Sequence, residues 1–291
     1  MISETPNATA RRTALSAVVL MATATALADP AAAQDAEGFT WENATELSFV
    51  STGGNSSSST LGLKASLTGT SGSNAFNIEL GGIRGESELT TRTATGTTDS
   101  FTVTATTTSQ LTAESYFARG RYDRAFNGAY ALAGLGWERN TFAGIQNRYA
   151  TVLGLGRTWV DGETGRFKTD LGVTYTIQKD VDPAPGVNEG FAGARLSVDA
   201  MRRISASVNY ASTLLVDENV QDTGDFRADW TNSVSVGLSD ALAFKTSLQL
   251  LFDNHPALIS VPLSGAPAGT TVLTPGDEVD TVLTVALVIT L

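Results

Sequence analysis

The 291-residue sequence has no cysteine and one histidine, and a single apolar stretch approaches the length of a membrane-crossing helix. Without cysteine there can be no disulfide framework, no thiolate metal site and no lipid-modified N-terminal cysteine. Basic residues are also scarce, 19 Lys and Arg against 30 Asp and Glu, for a net charge of -11. A chain of that sign is not expected to bind nucleic acid. A transmembrane helix needs roughly 20 mostly apolar residues, and the stretch from Ala14 to Ala28 is shorter. Arg11 and Arg12 precede it and Ala31-Ala32-Ala33 follow, the order of a cleavable secretory signal. Residues 1–33 are therefore expected to be removed, with a mature start near Gln34, a short segment over 34–40 and a folded domain over 41–291. A retained anchor is the alternative. The surroundings of the Arg pair, Ala10 to Leu15, lack the rest of a twin-arginine signal, which favours general secretion.

What the chain does have is alternation. Phe167, Thr169, Leu171, Val173, Tyr175 and Ile177 take one parity of a run whose other parity is Lys168, Asp170, Gly172, Thr174, Thr176 and Gln178. A period of two is that of an extended strand with an apolar and a polar side. Twelve such segments are predicted: 41–50, 59–69, 75–85, 111–123, 129–137, 146–160, 166–178, 191–201, 204–216, 226–239, 241–252 and 279–291. Ten or fourteen are the neighbouring even counts. Aromatics near strand ends, including Trp41, Phe101, Trp137, Trp159, Phe167, Phe191, Phe226 and Phe252, suit the interfacial girdles of membrane barrels.

The connections alternate in length. Tight links fall at Ser71-Gly72-Ser73, Asn127-Gly128, Asp161-Gly162-Glu163, Arg202-Arg203 and Asp240, all of turn-grade composition. Longer ones run over Glu86–Gln110, Lys179–Gly190, Asp217–Asp225 and Asp253–Glu278, and the first and fifth links are intermediate. Bacterial outer-membrane barrels have this asymmetry, with short periplasmic turns and long external loops. Closure is a physical requirement, because an unpaired backbone N–H or C=O facing hydrocarbon costs several kcal/mol. The expected fold is all-β, a single antiparallel transmembrane β-barrel whose first and last strands pair.

Parity assigns the two faces. Leu61, Leu63 and Leu67, then Phe76, Ile78 and Leu80, then Val208, Tyr210 and Leu214 read as lipid-facing, as do the apolar positions of the strands beginning at Phe226 and Ala241. The other parity is charged and of mixed sign. Its candidate lumen-lining residues are Arg148, Lys168, Asp170, Arg195, Asp199, Arg227, Asp229 and Lys245, with Lys64, Glu79 and Gln249 beside them. Groups of both signs can pair across a narrow lumen and hold it shut, or line a water-filled path. Twelve strands leave limited room once Arg and Lys point inward, which favours a constricted lumen.

The C-terminal run Leu283, Val285, Leu287, Ile289, Leu291 ends on its own apolar parity. It resembles the closing strand by which outer-membrane proteins are recognised by the insertion machinery, although that strand usually ends in Phe. Further segments carry a more specific likeness: Ser51-Thr52-Gly53-Gly54-Asn55-Ser56, Arg119-Gly120-Arg121-Tyr122-Asp123, Trp137-Glu138-Arg139-Asn140-Thr141-Phe142, and Arg148 leading to Gly154-Leu155-Gly156. Together they resemble the family called domain of unknown function 481, whose members are often named salt-induced outer-membrane proteins, over most of residues 40–291. That resemblance implies an outer-membrane location and a barrel, and carries no catalytic residues. The partners expected are outer-membrane lipid and lipopolysaccharide, and the insertion machinery during assembly.

Enzymatic readings fare less well. An outer-membrane phospholipase needs a Ser with a His base, and His255 sits in Asp253-Asn254-His255-Pro256 with no Gly-flanked Ser nearby. A barrel protease needs an Asp/His couple beside paired acids, and Glu86, Glu88, Asp99 and Glu114 read as rim charges instead. A Ca²⁺ site from Asp217, Glu218, Asp222 and Asp225 lacks regular loop spacing and reads as a solvated acidic loop. No metal or cofactor is expected. The Thr-rich stretch 90–108 reads as a flexible loop, with surface adhesion or phage binding as an added possibility. Two functions stay open: a narrow porin-like channel or osmotic and salt-response envelope protein, and a non-transporting structural or surface-interaction barrel. Phospholipase or protease activity is the minority alternative.

Overall fold

The computed structural model describes residues 38–52, 56–97, 100–183, 189–265, 267 and 269–290. The expected signal segment 1–33, residues 34–37, Gly53-Gly54-Asn55 and Leu291 lie outside the described residues. The described residues from Glu42 onward form one compact unit. The strands in chain order are β1 (Thr40–Thr52), β2 (Ser56–Ser71), β3 (Asn74–Thr97), β4 (Ser100–Phe126), β5 (Ala129–Asn140), β6 (Ile145–Gly162) and β7 (Gly165–Asp180). They continue as β8 (Gly190–Arg203), β9 (Val208–Asn219), β10 (Phe226–Gly237), β11 (Leu242–Asp253), β12 (Leu258–Pro262), β13 (Thr271–Pro275) and β14 (Val279–Thr290).

Twelve of them close into one antiparallel barrel in the order β1-β14-β11-β10-β9-β8-β7-β6-β5-β4-β3-β2, and β12 and β13 form a separate hairpin. Closure is made by β14, which pairs with β1 through Ala44↔Thr290 to Leu47↔Leu287 and with β11 from Leu242↔Ile289 to Phe252↔Val279. Each predicted segment maps onto one barrel strand. The β4–β5 link is a two-residue turn with Asn127 at φ 51° and Gly128 at φ 77°. Two successive positive φ values are those of the type I′ turn, whose twist matches the strands it joins.

Two connections differ from expectation. The stretch Glu86–Gln110 is not a loop: β3 and β4 run on as a paired ribbon to Thr97↔Ser100, past a bulge at Gly85/Glu86. Threonine is β-branched and favours extended backbone, so its density there promotes pairing in place of flexibility. The Asp253–Glu278 connection holds the β12–β13 hairpin, paired from Leu258↔Pro275 to Pro262↔Thr271. Phe101 accordingly lies on the ribbon, and Phe191 packs under Arg227 at 5.0 Å, so neither belongs to a girdle. Trp159 does suit one: it sits at the short-turn end with Arg157 4.9 Å above its ring, and its indole N–H donates to Thr169 at 2.8 Å.

Burial is inverted relative to a water-soluble domain. On β7 Leu171 is 66% exposed and Asp170 only 4%. Phe76, Leu80, Leu155, Trp230 and Leu283 are exposed in the same way, and Ser197 and Thr176 are buried. Apolar side chains turned outward are stable only against lipid, which makes the exposed band the bilayer contact. A lysine at Leu171 should therefore destabilise the inserted barrel by about 2–4 kcal/mol near the midplane, with Lys168→Leu far milder. Denaturant unfolding in vesicles measures both, and equal effects would refute the assignment of faces.

Candidate functional site

The polar side chains meet in the lumen in two layers. In the layer nearer the short turns, Asp170 of β7 is the focus, with its side chain 3% exposed. Arg121 of β4 donates from Nη2 to Asp170 Oδ2 at 2.9 Å and from Nε to Asp123 at 2.7 Å. Tyr130 of β5 donates its hydroxyl to the same Asp170 oxygen at 3.1 Å. Gly156 is what lets Tyr130 lie there, since a Cβ at that position would collide with the phenol ring. Lys168 Nζ stands 5.6 Å from the centre of that ring. Because β4 and β7 are three places apart around the barrel, the Arg121–Asp170 bond passes through the interior and not along the wall.

Nearer the long connections, Arg148 of β6 donates from Nη1 to Glu138 and from Nε to Gln178 Oε1, each at 2.7 Å. Arg227 of β10 donates to that same Gln178 oxygen at 3.2 Å and lies 3.6 Å from Asp225. Arg119 adds to Glu138 at 3.8 Å, and Arg148 Nη2 comes within 4.0 Å of Asp253 on β11, five places around the ring. Arg195 of β8 clasps Asp217 of β9 with two bonds of 2.8 Å. Above this layer the mouth is bridged as well: Gly144 in the β5–β6 turn packs against Ala257 beyond β11, and its carbonyl accepts from Val181 N at 2.8 Å.

The remaining candidates make separate contacts. Asp199 accepts from Thr213 at 3.0 Å, Asp229 receives both bonds of the Gln249 amide at 2.9 Å, and Lys245 reaches Glu46 at 2.7 Å. The structure thus joins Arg148 to Arg227 through Gln178, and Lys168 to Asp170 around Tyr130. Sequence reading missed Arg119, Arg121, Tyr130, Glu138, Asp217 and Asp253 as lumen groups. Arg119, Arg121 and Asp123 alternate with Gly120 and Tyr122 and could have been found by parity; Glu138 follows a Gly- and Ala-rich run that hides it. Such dense pairing is what buried charge demands, since a charge taken out of water without a partner is strongly destabilising.

The catalytic and metal alternatives gain no geometry. His255 is exposed, and its backbone N–H donates to Asp253 at 2.9 Å. Asp217 is held by Arg195, Asp225 accepts from Asn219 at 3.0 Å, and Asp222 accepts from Gly224 N at 3.0 Å. Among the described residues no three His, Asp or Glu are grouped to hold a metal.

Residues 45–260 match the family described as protein of unknown function, DUF481. The chain belongs to this family. No curated protein matches it. Among solved structures it is similar to the NanC porin in a rhombohedral crystal form, at 10% identity and a TM-score of 0.46, over 84% of this chain and 98% of that one. It is also similar to the translocator domain of the autotransporter NalP from Neisseria meningitidis, at 11% identity and TM-score 0.42, over 98% and 97%. An anion-selective porin from Comamonas acidovorans aligns at 11% identity and TM-score 0.37, over 87% and 99%.

Replacing Asp170 by Ala leaves one Arg121 donor without an acceptor and Tyr130 with only its 3.4 Å bond to the Thr169 carbonyl, while Arg121 keeps Asp123. The expected loss of stability is about 1–3 kcal/mol, read as a lower denaturant midpoint with the far-UV spectrum unchanged. A neutral result would show that Asp170 does not hold the layer together.

Proposed function

We propose that this protein is a narrow conduit through the bacterial outer membrane for small ions, with its long connections outside and its short turns in the periplasm. The observation that carries the reading is the set of bonds that cross the interior. Arg121–Asp170 and Arg227–Gln178 each join strands three places apart, and Arg148 comes within 4.0 Å of Asp253 five places away, so side chains divide the lumen where a wide porin would hold open water. Lipid and lipopolysaccharide are the partners of the outward band around Leu171. The barrel wall has no assigned chemistry beyond passage.

One feature favours a second reading, a sealed barrel that serves the envelope without transport. The Gly144–Ala257 contact spans part of the mouth above a layer that already holds ion pairs. Planar-bilayer recording of refolded, heat-modifiable protein separates the two. Small reproducible conductance steps are expected for the conduit. Arg148→Ala combined with Arg227→Ala should enlarge the steps and shift the reversal potential towards cation selectivity, because Asp225 and Asp253 then stand unopposed and Glu138 keeps only Arg119 at 3.8 Å. A silent bilayer from wild type and variant alike would overturn the conduit and leave the sealed barrel.

A further inference from the structure

One arginine of β6 stands on the side of the barrel that faces lipid. Along that strand the outward parity runs Thr151, Leu153, Leu155, Arg157, and Leu153 and Leu155 are each 63% exposed. Register sets Arg157 beside Ala129 of β5 and Thr169 of β7, side chains too small to cover it. One row further from the turn, Leu155, Leu171 and Leu196 lie side by side on β6, β7 and β8. With Arg157 and Thr169 these leucines line a shallow groove on the outer surface.

The lumen arginines Arg121, Arg148, Arg195 and Arg227 lie 2.7 to 3.6 Å from a carboxylate oxygen. No carboxylate or other hydrogen-bond acceptor among the described residues reaches Arg157. Its guanidinium carbon lies 4.9 Å from the centre of the Trp159 ring, two residues nearer the turn, and that tryptophan is 57% exposed. The side chain therefore leans from the apolar band towards the short-turn rim, as a charge rooted among lipid tails must. The same rim is basic in an acidic chain. Residues 124–131, 157–167 and 200–208, which surround the turns after β4, β6 and β8, contain Arg124, Arg157, Arg166, Arg202 and Arg203 against Asp161 and Glu163, while the whole chain carries -11.

We propose that Arg157 and the leucine groove hold an anionic glycerophospholipid, with its phosphate on the guanidinium and an acyl chain along Leu155, Leu171 and Leu196. Guanidinium and phosphate match in charge and in hydrogen-bond geometry. The groove is continuous with the exposed apolar band that contacts the bilayer, which selects a lipid over a soluble anion. Short turns lie on the periplasmic side of bacterial outer-membrane barrels, where the leaflet is built of phospholipid. The excess of arginine along the rim selects a headgroup of net negative charge. The inference needs only the outward face of β6 to β8 and stands apart from the conduit reading.

Trp159 makes the test direct, because it lies at the site. Protein is refolded into vesicles of phosphatidylcholine with a minor share of phosphatidylglycerol, and a bromine quencher is carried on the acyl chains of one lipid or the other. The signal is the part of the tryptophan quenching that Trp159→Phe removes. Brominated phosphatidylglycerol should quench it about five-fold more than the same share of brominated phosphatidylcholine, the worth of one basic side chain at an anionic lipid surface. Arg157→Gln should bring the two lipids near parity while heat-modifiability shows an intact barrel. Arg203→Gln removes the same charge from the same rim, off the groove, and should leave the preference nearly whole. Equal quenching of the wild type by the two lipids, equal losses in the two variants, or a preference that millimolar inorganic phosphate abolishes would overturn the proposal.

Discussion

Closure of the backbone ladder is the constraint on which the rest depends. Hydrocarbon offers no partner to an open N–H or C=O, so the chain can stand in a bilayer only if its last strand bonds its first. The β1–β14 register supplies that bond. Once the ring is closed each strand has one side in lipid and one in the lumen, and the period of two in the sequence becomes a division between two solvents. Leu171 and Asp170 are adjacent in sequence and lie in the two media.

The lumen then replaces the apolar core that a soluble domain would have. Its charges cannot be left unpaired, and the structure answers with Arg121 between Asp123 and Asp170, Arg195 on Asp217, and Arg148 on Glu138. Planar guanidinium forks suit this role, since one group can bridge acceptors on different strands. The same bonds that settle the interior also narrow it. Stability and the width of any path through the barrel are consequently set by the same residues.

Much of the fold was legible because it rests on local signals. Alternation located all twelve barrel strands, and the Asn127-Gly128 turn and the lengths of the connections gave their order. The ribbon was misread because threonine density was taken for low complexity, although Thr102, Thr104 and Thr106 alternate with Phe101, Val103 and Ala105 as a strand should. Prolines at 262 and 275 hid the β12–β13 hairpin, since they argue against strand interiors and here stand at strand ends. Parity could place Arg148, Lys168, Asp170 and Arg227 on the polar side. It could not pair them, because Arg227 reaches Gln178 and Arg148 approaches Asp253 only across the lumen, between strands that are not neighbours, which no sequence spacing encodes.

The central claim is that β7 separates lipid from a polar interior residue by residue. Labels attached to single cysteines at 170 through 175, in vesicles containing a lipid-borne quencher, test it most directly. The account predicts strong quenching at Leu171, Val173 and Tyr175 and weak quenching at Asp170, Gly172 and Thr174. Uniform quenching along the strand, or the opposite alternation, would contradict it.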